Sequence, residues 1–563
     1  MARFAQTIPR DAWRQATVAV LATIVLGPLL LVAYQSLLNG PFFLESSRLD
    51  LGAYRYVIGG TQFWRAFGTS LVVATGMAGI AVPLGATLAF LLVRTDLPGS
   101  RWIEPLALVP IFLSPIVVAF GYVVAIGPVG FISLAVKSWI GTVPWNLYGL
   151  PALVAIAALT HVPHSCLYVA TALRSINPEL EEAARTAGAP PWRVAIEVSL
   201  PLAQPAILYA AALTFLLGFE LFGLPLVLGD SAGLLVMTTY LFKLTTLLGV
   251  PSYQMMAVVA VSIVAVTFPL VLAQRHLLGQ AARYATIRGR GLAPRRLRLG
   301  MWRWGAFAGV VAWFAVTVAL PLCGIVLRSV VRNWGIGVDL GAVLTLDHFR
   351  ALATYPNLVR GVIDTIAIAT IGGAASVALY LTIGLAQHRW TGRGAATIDF
   401  LVLLPRAVPG LIGGLAFLWV ILFVPFLRPF RNSLGALWLA YTSVWLAYGL
   451  RLISTTLLQV GAELEESART IGASPARVTR EITVPLARAG IVGSWLLVLM
   501  MFVREYSTGV YLMGPGTEVI GSLIVSMWGA GGLDLIAALS VVNVAIVGIG
   551  LSLVLRLGVR LHA

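Results

Sequence analysis

From Ala16 to Leu38 the chain carries no charged residue, and apolar runs of similar length recur to its end. A helix needs about 20 apolar residues to cross the hydrocarbon layer of a bilayer. In that layer every backbone N–H and C=O must find a partner within the structure, and unbroken apolar runs of this length do so as helices. Composition agrees, since 59% of the 563 residues are hydrophobic and 11% charged, against about 25% charged in a soluble domain. The expected fold is an all-α polytopic membrane protein.

About twelve spans are expected, near residues 16–38, 67–93, 103–126, 150–173, 203–228 and 254–274, then 305–328, 358–386, 397–424, 435–456, 487–512 and 534–557. The first run is longer than the apolar part of a signal peptide, so it reads as an uncleaved span with the N-terminus inside. Pro110 and Pro115 kink the third span, and Pro405 and Pro409 stand at the matching place in the ninth. Membrane helices tolerate such prolines because neighbours satisfy the freed carbonyls.

The net charge of +16 comes almost wholly from arginine, Lys137 and Lys243 being the only lysines. A nucleic-acid binder would need a basic surface with stacking aromatics. The arginines instead gather in short segments between apolar runs, as the positive-inside rule requires. Between Gln274 and Arg303 stand Arg275, Arg283, Arg288, Arg290, Arg295, Arg296, Arg298 and Arg303 without one acidic residue. Such a block belongs in the cytoplasm. It divides the chain into a first unit of residues 1–285, a basic linker of 286–303 and a second unit of 304–563. Six spans in each unit put both termini in the cytoplasm and make the units parallel repeats. Cys166 and Cys323 fall inside spans and are expected to be buried packing residues.

Two polar stretches interrupt the apolar runs. Residues 179–202 contain Glu179-Leu-Glu-Glu-Ala-Ala-Arg-Thr-Ala-Gly188 and later Val198-Ser-Leu-Pro201; residues 463–486 contain Glu463-Leu-Glu-Glu-Ser-Ala-Arg-Thr-Ile-Gly472 and Ile482-Thr-Val-Pro485. Glu182 and Glu466, Gly188 and Gly472, and Pro201 and Pro485 are each 284 positions apart. Pro178 can open a short helix in which Glu181 and Glu182 favour the positive N-terminal end. Gly188 stops that helix, and Pro191 prevents its continuation. A second helix over 192–198 then leads to Pro201, where the chain is expected to turn into the next span. The product is a small helix–turn–helix on the membrane surface, its glycine giving a close approach or a sharp bend.

The pattern Glu-Ala-Ala, three residues, Gly, nine residues, Ile/Val, one residue, Leu/Val, Pro resembles the EAA loop of ABC-importer permeases. Val198 takes the Ile slot in the first copy, while Ser467 and Val484 replace Ala and Leu in the second. The resemblance implies the type I importer permease fold, two parallel six-helix repeats in the bacterial inner membrane. It implies that Glu182 and Glu466 contact an ATPase, that Gly188 and Gly472 shape the docking helix, and that Ala183, Ala184 and Pro201, with Ser467, Ala468 and Pro485, complete the coupling motifs. Two loops in one chain imply two copies of a cytoplasmic ATP-binding-cassette subunit. A periplasmic or lipid-anchored binding protein would deliver cargo. The fused layout, Phe219-Glu-Leu-Phe-Gly-Leu-Pro225 and Arg504-Glu-Tyr-Ser-Thr508 followed by Gly514-Pro-Gly516 are most similar to ferric-iron permeases. Related fused permeases carry thiamine or phosphonate compounds.

A nucleotide-binding loop needs Gly-x-x-x-x-Gly-Lys-Ser/Thr. Lys137-Ser138 is preceded by Val136 rather than glycine, so neither an ATPase site nor a cofactor is expected in this chain. A rival reading, an ion-coupled secondary transporter with parallel halves, would need no ATPase and no EAA stretch. Charges inside spans are functional candidates by default. Glu220 corresponds to Arg504 by the 284 spacing, and Glu505 follows it. These three are expected to line the path, with Arg504 pairing with one glutamate. The plainer alternative is a structural ion pair. Arg406, between two prolines, either lines the path or snorkels to a headgroup of the surrounding lipid. His161-Val-Pro-His164 lacks the carboxylates or thiols that would complete a metal shell, so structural contacts are the favoured reading and no metal site is expected.

Overall fold

The computed structural model describes residues 12–176, 178–245, 251–284, 296–335, 338–339 and 341–556. Residues 1–11, 285–295 and 557–563, and with them most of the basic linker and the topology read from the chain ends, lie outside the described residues. Within them the regular structure is helical apart from three isolated β-bridges. Eight helices are long and apolar enough to span a bilayer, and up to 13 segments qualify if each sharply bent pair counts once. The expected twelve fall inside that range.

Departures from simple spans have local causes. The third is broken into Ser100–Leu106, Val109–Phe112 and Pro115–Ile126, and the ninth bends by 107° between Arg393–Ala407 and Gly410–Phe423. A residue before proline is pushed out of the helical region by the proline ring. Ser114 (φ −67°, ψ 126°) and Val408 (φ −114°, ψ 110°) are both extended there. The fifth and eleventh spans end earlier than expected, at Phe219 in Gln204–Phe219 and at Arg504 in Arg488–Arg504. Glu220 and Glu505 therefore lie at helix ends, not within helices.

The chain forms two compact units that cut across the expected sequence boundaries. One takes in the described residues of Tyr54–Ala351 and Gly532–Val541; the other those of Met1–Ala53, Leu352–Gly531 and Val542–Ala563. Each unit thus contains the opening span of the other sequence half. In the first unit, Trp302–Ser329 packs on Pro115–Ile126. A Cβ on Gly121 would stand 2.5 Å from the carbonyl oxygen of Pro321, and Tyr122 donates its hydroxyl to the Val316 carbonyl at 2.8 Å. In the second, Ala12–Ser36 packs on Gly373–Gln387, Arg393–Leu403 and Gly410–Phe423. Phe43 stacks on Phe423 just beyond its end, at 4.3 Å between ring centroids. Helices in lipid gain nothing from hiding apolar area and choose partners by close backbone approach and interhelical hydrogen bonds. Those contacts do not follow chain order.

The same rule builds each bundle. Gly85 lets the second span meet the fourth so closely that a Cβ would lie 2.6 Å from that of Ser165, whose hydroxyl bonds Thr214 at 3.1 Å. In the other unit Ser376 bonds Thr442 at 2.7 Å, and Tyr380 donates to the Thr442 carbonyl at 2.6 Å. Cys166 is buried as expected, but Cys323 is exposed because it faces away from the Pro115–Ile126 contact made by its helix.

Candidate functional site: two charged loops and their anchors

Each polar stretch folds into the expected pair of short helices. The first runs Pro178–Thr186 then Pro191–Val194; the second runs Ala462–Thr470 then Pro475–Val478. Gly188 (φ +88°) and Gly472 (φ +89°) take the left-handed conformation. In both loops the helix closes by a six-to-one hydrogen bond, Ala189 N–H to Ala184 C=O and Ala473 N–H to Ala468 C=O, each 3.0 Å. This is the Schellman arrangement, which calls for glycine at the αL position. A Cβ at either glycine would meet nothing within 4 Å. Of the two expected roles, the glycines serve the bend and not a close approach within the chain.

Beyond the second helix each loop passes through one widened π turn, Ala195–Ser199 and Thr479–Thr483. The chain turns into the following span at Ala203, by 72°, and at Ala487, by 67°. The bend comes two residues after Pro201 and Pro485, contrary to expectation. Proline at the first turn of a helix is favourable because its missing N–H needs no partner there.

The expected coupling residues lie mostly on the outer face. Glu182, Ala183, Gly188 and Pro201 are exposed, as are Glu466, Ser467, Gly472 and Pro485; Ala184 is half-buried and Ala468 buried. Leu180 and Leu464 on these helices, and Ile471 just past the end of the second, are also exposed.

The opposite face carries residues that sequence reasoning passed over. Glu181, expected only to favour a helix end, is buried and forms an ion pair with buried Arg94 at 3.1 Å. Ser199 donates its hydroxyl to the same carboxylate at 2.8 Å. Arg94 ends the second span and also donates to the carbonyls of Leu173 (2.6 Å) and Ile176 (3.3 Å) at the end of the fourth. The second copy repeats this. Glu465 accepts the Thr483 hydroxyl at 2.8 Å and the His388 ring N–H at 2.9 Å, with Arg389 at 3.5 Å. Arg389 donates to the Val460 carbonyl at 2.6 Å. Burial alone would raise the pKa of Glu465. Hydrogen bonds from Thr483 and His388, with the charges of His388 and Arg389, outweigh that and hold it below the ordinary value. Removing either member of the buried Arg94–Glu181 pair strands its partner's charge, at a cost of about 3–5 kcal/mol; Arg389 is more than a third exposed, so solvent weakens its pair with Glu465.

Glu181 and Glu465 keep the 284 spacing, and so do Ser199 and Thr483, and Ile176 and Val460. Arg94 and Arg389 are 295 apart, like Pro110 and Pro405. The difference of 11 positions falls between the third and fourth spans, where the first half has the longer connection. A search at constant spacing could not join Arg389 to Arg94.

Of the residues expected to line a path, Glu505 is held by its own turn. One carboxylate oxygen accepts from the backbone N–H and hydroxyl of Ser507 (both 2.9 Å) and of Thr508 (3.0 and 3.1 Å), and the other from the Trp445 indole at 2.9 Å. It thereby satisfies backbone exposed by the broken helix. Arg406 lies in the short turn Leu404–Ala407, 5.9 Å from the centre of the Tyr448 ring, a cation–π distance. Glu220 caps Gln204–Phe219 in the other compact unit. His161 donates to the Ala157 carbonyl at 2.7 Å and stacks on His164 at 5.2 Å. Among the described residues no group of three or more His, Cys, Asp or Glu could hold a metal ion.

Residues 81–280 and 378–563 both match the family described as binding-protein-dependent transport system inner membrane component. The chain belongs to that family. Each match begins within the second span of its half, contains that half's anchor, and leaves out the opening span that packs in the other unit. The chain is 23% identical to the ferric transport system permease protein of Actinobacillus pleuropneumoniae over 75% of its own length and 60% of that protein's. It spans, then, a little under two thirds of that relative. It is 34% identical to the molybdenum transport system permease protein of Escherichia coli K12 over 28% of its length and 69% of that protein's. It is 30% identical to a putative 2-aminoethylphosphonate transport system permease protein of Salmonella paratyphi A over 43% of its length and 90% of that protein's.

Proposed function

We propose that the chain is the permease of an ATP-driven importer, energised by two ATP-binding-cassette subunits docked on its two polar loops. The observation that carries this reading is the two-faced loop, present twice. Each docking helix is fixed to its bundle by a buried carboxylate and presents Glu182 or Glu466, with exposed leucine, on the other face. Such faces suit a soluble partner, and a chain without a phosphate-binding loop needs one to use ATP. Arginine placement supports loops and termini on the cytoplasmic side, with a binding protein delivering cargo at the other.

Ferric iron is the cargo we favour. The relative with that name aligns over 75% of the chain, through both halves, whereas the molybdenum and phosphonate relatives align over 28% and 43%. We assign Glu220 and Arg406 to the path and Glu505 to holding its turn. Capture of an ATPase by the purified chain, followed by reconstitution in liposomes, tests the reading. Binding proteins loaded with ferric iron, molybdate or 2-aminoethylphosphonate are then compared as stimulants of ATP hydrolysis. Stimulation by the ferric form alone is expected. Stimulation by another form replaces the cargo, and uptake that proceeds without any ATPase overturns the function.

A further inference from the structure

Both anchors reach a third element besides loop and bundle. Beside the first, Leu297 donates its N–H to the Arg94 carbonyl at 2.8 Å and accepts from Asp96 N–H at 3.1 Å. This short parallel pairing lies five residues before Trp302–Ser329, the opening span of the second half. Beside the second, Arg14 donates to the His388 carbonyl at 3.2 Å and lies 5.5 Å from the Trp390 ring. Arg14 is in the first turn of Ala12–Ser36, the opening span of the first half. Each guanidinium thus stands where a loop, the ends of two spans and the foot of the other half's opening span meet.

We propose that Arg94 and Arg389 are positioning residues of the transport cycle, passing movement of a docked loop into the second span and into the opening span of the opposite sequence half. The inference rests on the importer reading above and goes beyond it. An apolar contact between loop and bundle could slide. A buried carboxylate held by a guanidinium and a hydroxyl cannot shift without stranding charge, so the loop and the span end move together or separate at high cost. Duplication supports a working role: the same arginine, glutamate, hydroxyl and carbonyl recur, although the arginine has changed spacing relative to the rest. The copies differ in the hydroxyl, Ser199 against Thr483, and in His388, which shares the load on Glu465 where the first copy has Val93.

The test compares hydrogen exchange of the whole chain with its captured ATPase, with and without ATP plus vanadate, in wild type, R94K, S199A and S199T. Lysine keeps the charge but cannot fork between carboxylate and carbonyl. In wild type, nucleotide trapping should alter exchange in residues 179–202, 88–96 and 296–303. In R94K and S199A the change should persist in 179–202 and fall about fivefold in the other two segments. S199T, which installs the hydroxyl of the second copy, should behave as wild type. R389K should have a smaller effect on its own loop than R94K does, and H388A combined with R389K a comparable one. A change that reaches 88–96 undiminished in R94K overturns the inference. So does loss of the change within the loop itself, because the anchor would then merely build the docking surface. If the wild-type chain captures no ATPase, the importer reading fails and this inference goes with it.

Discussion

Replacing Gly188 or Gly472 tests whether the bend of each loop matters to the proposed docking apart from the fold. Their φ angles are +88° and +89°, and a Cβ at either would have nothing within 4 Å. Substitution therefore meets no clash, and its cost is that of holding an L-residue in the left-handed region, about 1–2 kcal/mol. If that cost falls wholly on the docking-competent bend, its population drops by a factor of about 5–30. Affinity for the ATPase should weaken by the same factor. Asparagine tolerates this region better than alanine, and a β-branched side chain tolerates it least. The expected order of ATPase affinity is Gly, Asn, Ala, Val, measured by titrating purified ATPase onto detergent-solubilised variants. Melting temperature should hardly move, since both glycines are exposed and touch nothing in the bundle. Equal affinities for the asparagine and valine variants, or an affinity loss that tracks loss of folded protein, would refute the reasoning.

The opposite result is expected at Gly490, where a Cβ would run into Thr456, and at Gly414, where it would run into the Thr508 carbonyl. Alanine at either should lower the melting temperature of the chain, and assembled protein should keep its ATPase affinity. Glu465 predicts a pH dependence. Its folded pKa lies below the ordinary value, so its contribution is full above the unfolded pKa of about 4.3 and is lost as pH falls through the folded one. Hydrogen exchange of 462–483 should therefore rise on acidification below about pH 4, and E465Q should show no such rise of its own. Asp364 has a buried carboxylate oxygen without a hydrogen-bond partner among the described residues. D364N should be neutral or raise the melting temperature, because it removes a charge that burial penalises. A fall of several degrees would show that the charge is needed. Glu505, with both oxygens satisfied, predicts the reverse: E505Q should lower the melting temperature, as an amide cannot accept at every site the carboxylate does.

The helical membrane fold, the duplication and the outer face of each loop were legible in the sequence, because all three rest on strict local signals. Apolar length marks spans, and Glu182, Gly188 and Pro201 recur at one spacing. The π turn that places Ser199 and Thr483 left no such mark. Glu181 and Glu182 are neighbours of one residue type, and nothing local says which turns inward. That is decided by Arg94, 87 residues earlier in the chain. The broken ends at Phe219 and Arg504 were equally hidden. Apolar character continues past the first break into Leu221-Phe-Gly-Leu224, and at the second only the structure shows Glu505 turning back to satisfy the freed N–H groups of its own turn.

The interleaving of the halves lay furthest from sequence, and it bears most on mechanism. Hydropathy places an opening span in a bilayer but cannot say which bundle it joins, since every lipid-facing surface is equally apolar. Gly121 and Gly324 decide it for Trp302–Ser329, by a contact that would admit no larger residue on the first of them. Arg14 with Trp390 and the aromatic pair Phe43–Phe423 tie down the two ends of Ala12–Ser36. If each half had kept its own opening span, a displaced loop could have moved its bundle while the other half stood still. Because the spans are exchanged, any movement that an anchor passes to the foot of its neighbouring opening span enters the sequence half that carries the other loop. On the importer reading proposed above, that exchange is the route by which docking on one loop would be felt in the sequence half that carries the other.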